Sequence, residues 1–108
     1  MRMRQAAVTA VGALALLLSA PTPAIAASGD FLYKTSSGQE ATLADPQSGV
    51  CINLDGTSEQ DPGHSPRNFT DATATVFLDT DCNGDVYYVM NPGKKLGDRL
   101  KLRSVIFS

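Results

Sequence analysis

Apolar residues follow two regimes along this chain, one compact block near the start and then a series of short alternations. The block runs from Val8 to Leu18, is interrupted by Thr9 and Gly12, and gives way to Ser19 and Pro21. It is shorter than the about 20 apolar residues that a membrane-crossing helix needs. Arg2 and Arg4 precede it, and after the helix-breaking Pro21 and Pro23 the run Ala24, Ile25, Ala26 offers small residues where a signal peptidase requires them. The pattern predicts a cleaved signal peptide over residues 1–26, with cleavage after Ala27 as the alternative. The exported product is then one β domain spanning 27–108, with no membrane span in the mature form.

Past the leader no helical period persists, and the period is that of strands. Phe31–Lys34 and Glu40–Leu43 are short strand-like runs separated by the turn residues Thr35, Ser36, Ser37, Gly38 and Gln39. Val50, Ile52 and Leu54 alternate with Cys51 and Asn53. Thr73–Asp79 and Asp85–Met90 flank Asn83 and Gly84, the dipeptide type that most favours a hairpin turn because both residues tolerate positive φ. Asn91, Pro92 and Gly93 turn the chain again. Leu100, Leu102, Val105 and Phe107 close it, with an offset in the alternation at Arg103 and Ser104. Asp55–Arg67, which reads DGTSEQDPGHSPR, has almost nothing to bury and is predicted as a long polar loop. Such a loop is either functional or a tolerated insertion.

Two cysteines change the picture. In an exported chain the pair Cys51 and Cys82 is read as a disulfide, and closing that loop removes about 3–4 kcal/mol of chain entropy from the unfolded state. No CxxC spacing is present and His64 is the sole histidine, so a redox or zinc site is not favoured. Charge adds an exclusion. The chain carries 9 basic and 11 acidic side chains, net −2, and loss of Arg2 and Arg4 takes this to −4. An acidic domain whose only adjacent cations are Lys94 and Lys95 is not built for a phosphate backbone, so no nucleic-acid partner is expected.

An internal repeat is visible. Phe31, Leu32 and Gly38 are matched by Phe77, Leu78 and Gly84; Pro46 and Pro92 mark later turns, and Ser48 and Ser104 precede further strands. This pattern resembles the Greek-key motif of the βγ-crystallins, in which an aromatic opens a strand, a glycine seven residues on adopts an unusual backbone conformation, and a later serine ties down the folded hairpin. It is also similar to the crystallin-like metalloproteinase inhibitors of bacteria and to short exported actinobacterial proteins of undetermined role. Residues 68–107 carry most of the likeness. The resemblance implies an all-β fold, a small Greek-key β-sandwich held by one disulfide. The second aromatic of the crystallin motif is replaced here by Ser36 and Cys82, and no inhibitor contact residue can be carried over.

Three constellations remain. Asp79, Asp81, Asn83 and Asp85 alternate around Gly84 with the spacing of the first half of a calcium loop, although Met90 stands where the bidentate glutamate belongs. The same residue types also suit a polar hairpin turn. A serine hydrolase would need His64 as its base, and a histidine in a loop is poorly placed for that. Asn68, Phe69 and Thr70 form a glycosylation sequon, with a turn role for Asn68 as the alternative.

The expectation is therefore a secreted, monomeric, non-catalytic β domain that binds an extracellular protein such as a peptidase through Asp55, Glu59, Asp61, His64 and Arg67. The alternatives are a calcium-stabilised structural protein and, least favoured, a small hydrolase. No cofactor is expected other than that calcium ion.

Overall fold

The computed structural model describes residues 25–108, so the predicted leader up to residue 24 lies outside the described residues. Eight strands follow: β1 (Gly29–Lys34), β2 (Glu40–Ala44), β3 (Ile52–Asn53), β4 (Gly63–Thr70), β5 (Ala74–Phe77), β6 (Tyr87–Met90), β7 (Lys101–Leu102) and β8 (Ser104–Phe107). The described residues contain no α-helix, only a 3-10 turn at Thr80–Cys82. All pairings are antiparallel, and they build two four-stranded sheets ordered β2-β1-β4-β7 and β3-β8-β5-β6. Advancing every strand by four places along the chain converts the first order into β6-β5-β8-β3, the second order read backwards. Each half therefore lends one strand to the other's sheet.

The alternation read from the sequence supplies the core. Phe31 and Tyr33 of β1 face Ala74 and Val76 of β5, Met90 of β6, and Val105 and Phe107 of β8, all essentially sealed from solvent. Phe31 meets Phe107 edge to face, with ring centroids 5.5 Å apart, and so joins one sheet to the other. The repeated aromatics are not equivalent, however. Phe77 alternates with the buried Val76, faces outward, and packs on Tyr87 at 5.8 Å between centroids.

Four elements differ from the sequence expectation. First, Gly63–Thr70 is a central strand, so the polar loop ends at residue 62 and not at Arg67. Its register against β1 slips between Leu32 and Lys34, leaving an extra residue on β4 where Ser65 takes φ 55° and Pro66 is buried. Proline is tolerated inside a sheet at such a bulge because no ladder hydrogen bond is needed there. Second, Asn83 and Gly84 do not close a two-residue hairpin. Residues 78–86 arch over the end of β5 instead, with Leu78 N–H donating to Val86 at 3.1 Å. Third, the offset at Arg103 is a change of sheet: Leu102 pairs with Gly63 in one, and Ser104 with Phe77 and Asn53 in the other. Fourth, the strand expected over Val50–Leu54 is only two residues long, with Leu54 buried and Val50 exposed.

Candidate functional site

Cys51 and Cys82 form a disulfide with Cα atoms 5.9 Å apart, joining the start of β3 to the arch between β5 and β6. Asn53 and Asp81 reinforce that junction. Asn53 Nδ2 donates to Asp81 Oδ1 at 2.9 Å, and Asp81 N–H donates to Asn53 Oδ1 at 2.7 Å. Asp81 and Cys82 both sit at positive φ, 60° and 52°, a region that side chains resist and that these cross-links hold. Ser104 completes the lock: its hydroxyl donates to the Asp79 carbonyl at 2.6 Å and accepts from Cys82 N–H at 2.9 Å. Gly84, at φ 91°, closes against the Asp79 carboxylate where a Cβ would collide.

The acidic arch is thus occupied with structural bonds. Asp81 is engaged by Asn53, and among the described residues no three histidine, cysteine or acidic side chains gather closely enough to hold a metal ion. Among the described residues the calcium-loop spacing of Asp79, Asp81, Asn83 and Asp85 is not accompanied by convergence of its three carboxylates. A 3-10 turn with two left-handed residues breaks the wrapping that an EF-hand loop requires.

Of the predicted loop residues, Asp55, Glu59 and Asp61 share the segment 55–62, whereas His64 and Arg67 belong to β4. His64 pairs with Lys34 and Lys101 across the sheet, and its Nδ1 lies 2.8 Å from Ser65 Oγ. Among the described residues no carboxylate hydrogen-bonds the ring, so the pair lacks the third group that orients a catalytic imidazole. Arg67 reaches across β1 to Glu40 on β2 at 2.7 Å. A half-screened pair of this kind contributes at most about 1 kcal/mol.

The remaining loop has a fixed shape. Tyr33, buried in the core, extends its hydroxyl to donate to the Asp55 carbonyl at 2.8 Å. Thr57 Oγ1 donates to the Leu54 carbonyl at 2.8 Å, and Ser58 and Asp61 close a turn through Ser58 N–H to the Asp61 carbonyl and Asp61 N–H to Ser58 Oγ, both 3.0 Å. Burial and then the nearby Asp55 charge push the Tyr33 phenol above its ordinary value, against a smaller opposing effect of the hydrogen bond. Both ends of the loop are anchored, since Leu54 is buried beside Asp55 and Gly63 begins β4 wedged between the Lys34 and Leu102 carbonyls.

Asn68 is completely buried and hydrogen-bonded through all its polar atoms. Its Nδ2 donates to the Ala72 and Met90 carbonyls at 2.8 and 2.9 Å, and its Oδ1 accepts from Thr70 N–H and Thr70 Oγ1 at 3.1 and 2.6 Å. The sequon is therefore a bolt between the β4–β5 turn and the end of β6.

One surface was not singled out by sequence reasoning. Val86, Tyr87, Tyr88 and Val89 are 45, 54, 43 and 56 % exposed along the β6 edge of the second sheet. Beside them an open groove of about 470 Å³ is lined by Tyr88, Leu96, Gly97, Asp98, Arg99 and Leu100. The available signal was the unbroken apolar run Val86–Met90, which lacks the polar alternation of a strand with one wet face.

No protein-family profile, curated protein or solved structure matches the chain. Among the described residues no helix is long and apolar enough to cross a membrane.

Proposed function

We propose that this chain is a secreted, non-catalytic binding module of βγ-crystallin-like Greek-key architecture, which engages an extracellular protein, a peptidase being the leading class, through the loop 55–62. The architectural part is supported by the four-place permutation that relates the two sheets. It is supported too by Gly38 and Gly84 at φ 87° and 91° in matching hairpins, and by the Ser104 tie to the arch. Among the described residues the first half makes no counterpart of that tie. Ser48 lies in the turn before β3, and Gly63 occupies the place where β4 passes the first hairpin.

The binding part is carried by one observation: the loop is polar at its surface yet hydrogen-bonded at its base and within itself. A recognition loop whose shape is set before contact loses less conformational entropy on binding, which is how a small module reaches useful affinity. Asp55, Glu59 and Asp61 give it three exposed acidic side chains, suited to a partner with a basic cleft.

The test is a panel of extracellular peptidases incubated with purified protein, followed by residual-activity and binding assays. A stoichiometric complex is expected with at least one, and the double variant Glu59→Lys, Asp61→Lys should abolish it while leaving the melting temperature within a few degrees, because both side chains are exposed. Binding that survives the double charge reversal, or no complex with any peptidase, overturns the reading.

A further inference from the structure

We propose that β6 is the contact between two copies of this chain, which pair edge to edge and antiparallel across a two-fold axis to form one continuous sheet.

Four strands end the two sheets, and three of them are protected in ways that soluble proteins use against edge pairing. β3 and β7 are two residues each. β2 presents Glu40, held by Arg67. β6 has no charge, proline or bulge, and its residues Tyr87, Tyr88 and Val89 are all about half exposed.

Among the described residues its backbone has no strand partner on the outer side. Leu78 N–H donates to the Val86 carbonyl, which makes residues 86 and 78 a hydrogen-bonded pair in the β5–β6 ladder. Antiparallel alternation then directs the polar groups of Tyr88 and Met90 toward β5 and those of Tyr87 and Val89 away from it. A second copy can take up both.

The side chains are self-complementary in the register that uses those groups. With Tyr87 hydrogen-bonded opposite Val89 of the second copy, Tyr88 lies on the axis opposite Tyr88 of the second copy. Aromatic residues then meet β-branched ones on the outer face, a favourable cross-strand combination. The two Tyr88 rings meet at the close, non-hydrogen-bonded position, beside the grooves formed with Leu96 and Leu100.

Charge selects the antiparallel sense and the second copy as occupant. Asp85 adjoins the start of β6 and Lys94 and Lys95 follow its end, whereas Asp81 is drawn by Asn53 to β3 on the far edge. Antiparallel pairing lays the acidic end of each copy along the basic end of the other, and parallel pairing would oppose like charges. This contact is independent of the loop reading. β3, which leads into loop 55–62, and β6 are opposite edges of the same sheet, so a dimer presents two free loops.

Sedimentation of the purified chain over a concentration series tests the proposal. The wild type should pass from monomer to dimer, with the transition moving to higher concentration as salt is added. Tyr88→Lys sets two ammonium groups facing on the axis, and Val89→Pro removes an outward N–H that the isolated fold does not use. Each should raise the dimer dissociation constant by about a hundredfold or more. Amide exchange at Tyr87 and Val89 should be slow in the wild-type dimer and fast in Tyr88→Lys, with far-ultraviolet circular dichroism unchanged. A wild type that stays monomeric at every concentration overturns the proposal, as does a dimer that persists in both variants or a β6 edge protected only by an added extended peptide. Glu59→Lys, Asp61→Lys should leave sedimentation unaltered, so failure of the loop reading and failure of this one are read separately.

Discussion

The β1–β2 hairpin and the β5–β6 hairpin occupy matching places in the two sheets, yet they are held by opposite means. The first is tight: Gly38 N–H donates to the Thr35 carbonyl at 2.8 Å, and the Glu40–Arg67 pair crosses its face. It is also stabilised from within, because Tyr33 of β1 runs through the core to grip Asp55. The second is a wide arch fastened from outside by the Cys51–Cys82 bond, the Asn53–Asp81 pair and the Ser104 hydroxyl. Their edge strands diverge in the same way. β2 alternates exposed polar or small residues with half-buried ones, while β6 exposes Tyr87, Tyr88 and Val89. Equal topology thus imposes equal pairing but not equal surface. The half that spends its acidic residues on structural bonds is also the half that leaves an apolar edge open.

The sharpest way to break this contrast is to remove the external fastening. Replacing Cys51 and Cys82 by serine should cost about 3–4 kcal/mol, read as a fall in urea midpoint, and hydrogen exchange should accelerate in the arch 78–86 well before the β1–β2 hairpin. Equal acceleration in both hairpins would show that the fastening is shared.

A smaller effect is expected from Ser104→Ala, which leaves Cys82 N–H and the Asp79 carbonyl without their partner. The expected loss is about 1–3 kcal/mol by thermal melting, confined again to the second hairpin. Ser48→Ala, whose hydroxyl makes no matching tie among the described residues, should change stability far less.

The smallest effect belongs to the first hairpin and depends on pH. Burial holds the Tyr33 phenol above its ordinary value, so its stabilising contribution is complete below about pH 10, the unfolded value, and is lost as pH rises toward the folded one. The advantage of wild type over Tyr33→Phe in melting temperature should therefore be constant at neutral pH and narrow above about pH 10. A gap independent of pH would place the phenol's contribution in packing alone.

Much of the strand content was legible because burial imposes a period of two: Phe31 and Tyr33, Val105 and Phe107 declare their inward face without any knowledge of neighbours. Gly38 and Gly84 were equally plain, since their positive φ suits the one residue that has no Cβ. β4 was missed at its start because His64, Ser65, Pro66 and Arg67 have loop composition. Only the bulge opposite Tyr33 makes room for a proline in a central strand. The candidate site suffered most from this, losing His64 and Arg67 to a sheet and keeping Asp55, Glu59 and Asp61.

By itself the sequence determined the local alphabet of this protein: short alternating strands, glycine-bearing turns, one cysteine pair and an acidic balance. Each depends on a residue and its near neighbours along the chain. The tertiary structure alone decided that Arg103 is a crossing between sheets, that Asn68 is a buried bolt, and that Tyr87–Met90 is the edge of a sheet among the described residues. Those outcomes depend on which segments meet in space, and residues far apart in the chain, such as Asn53 and Asp81 or Ser104 and Asp79, carry no mark of their partner until the fold brings them together.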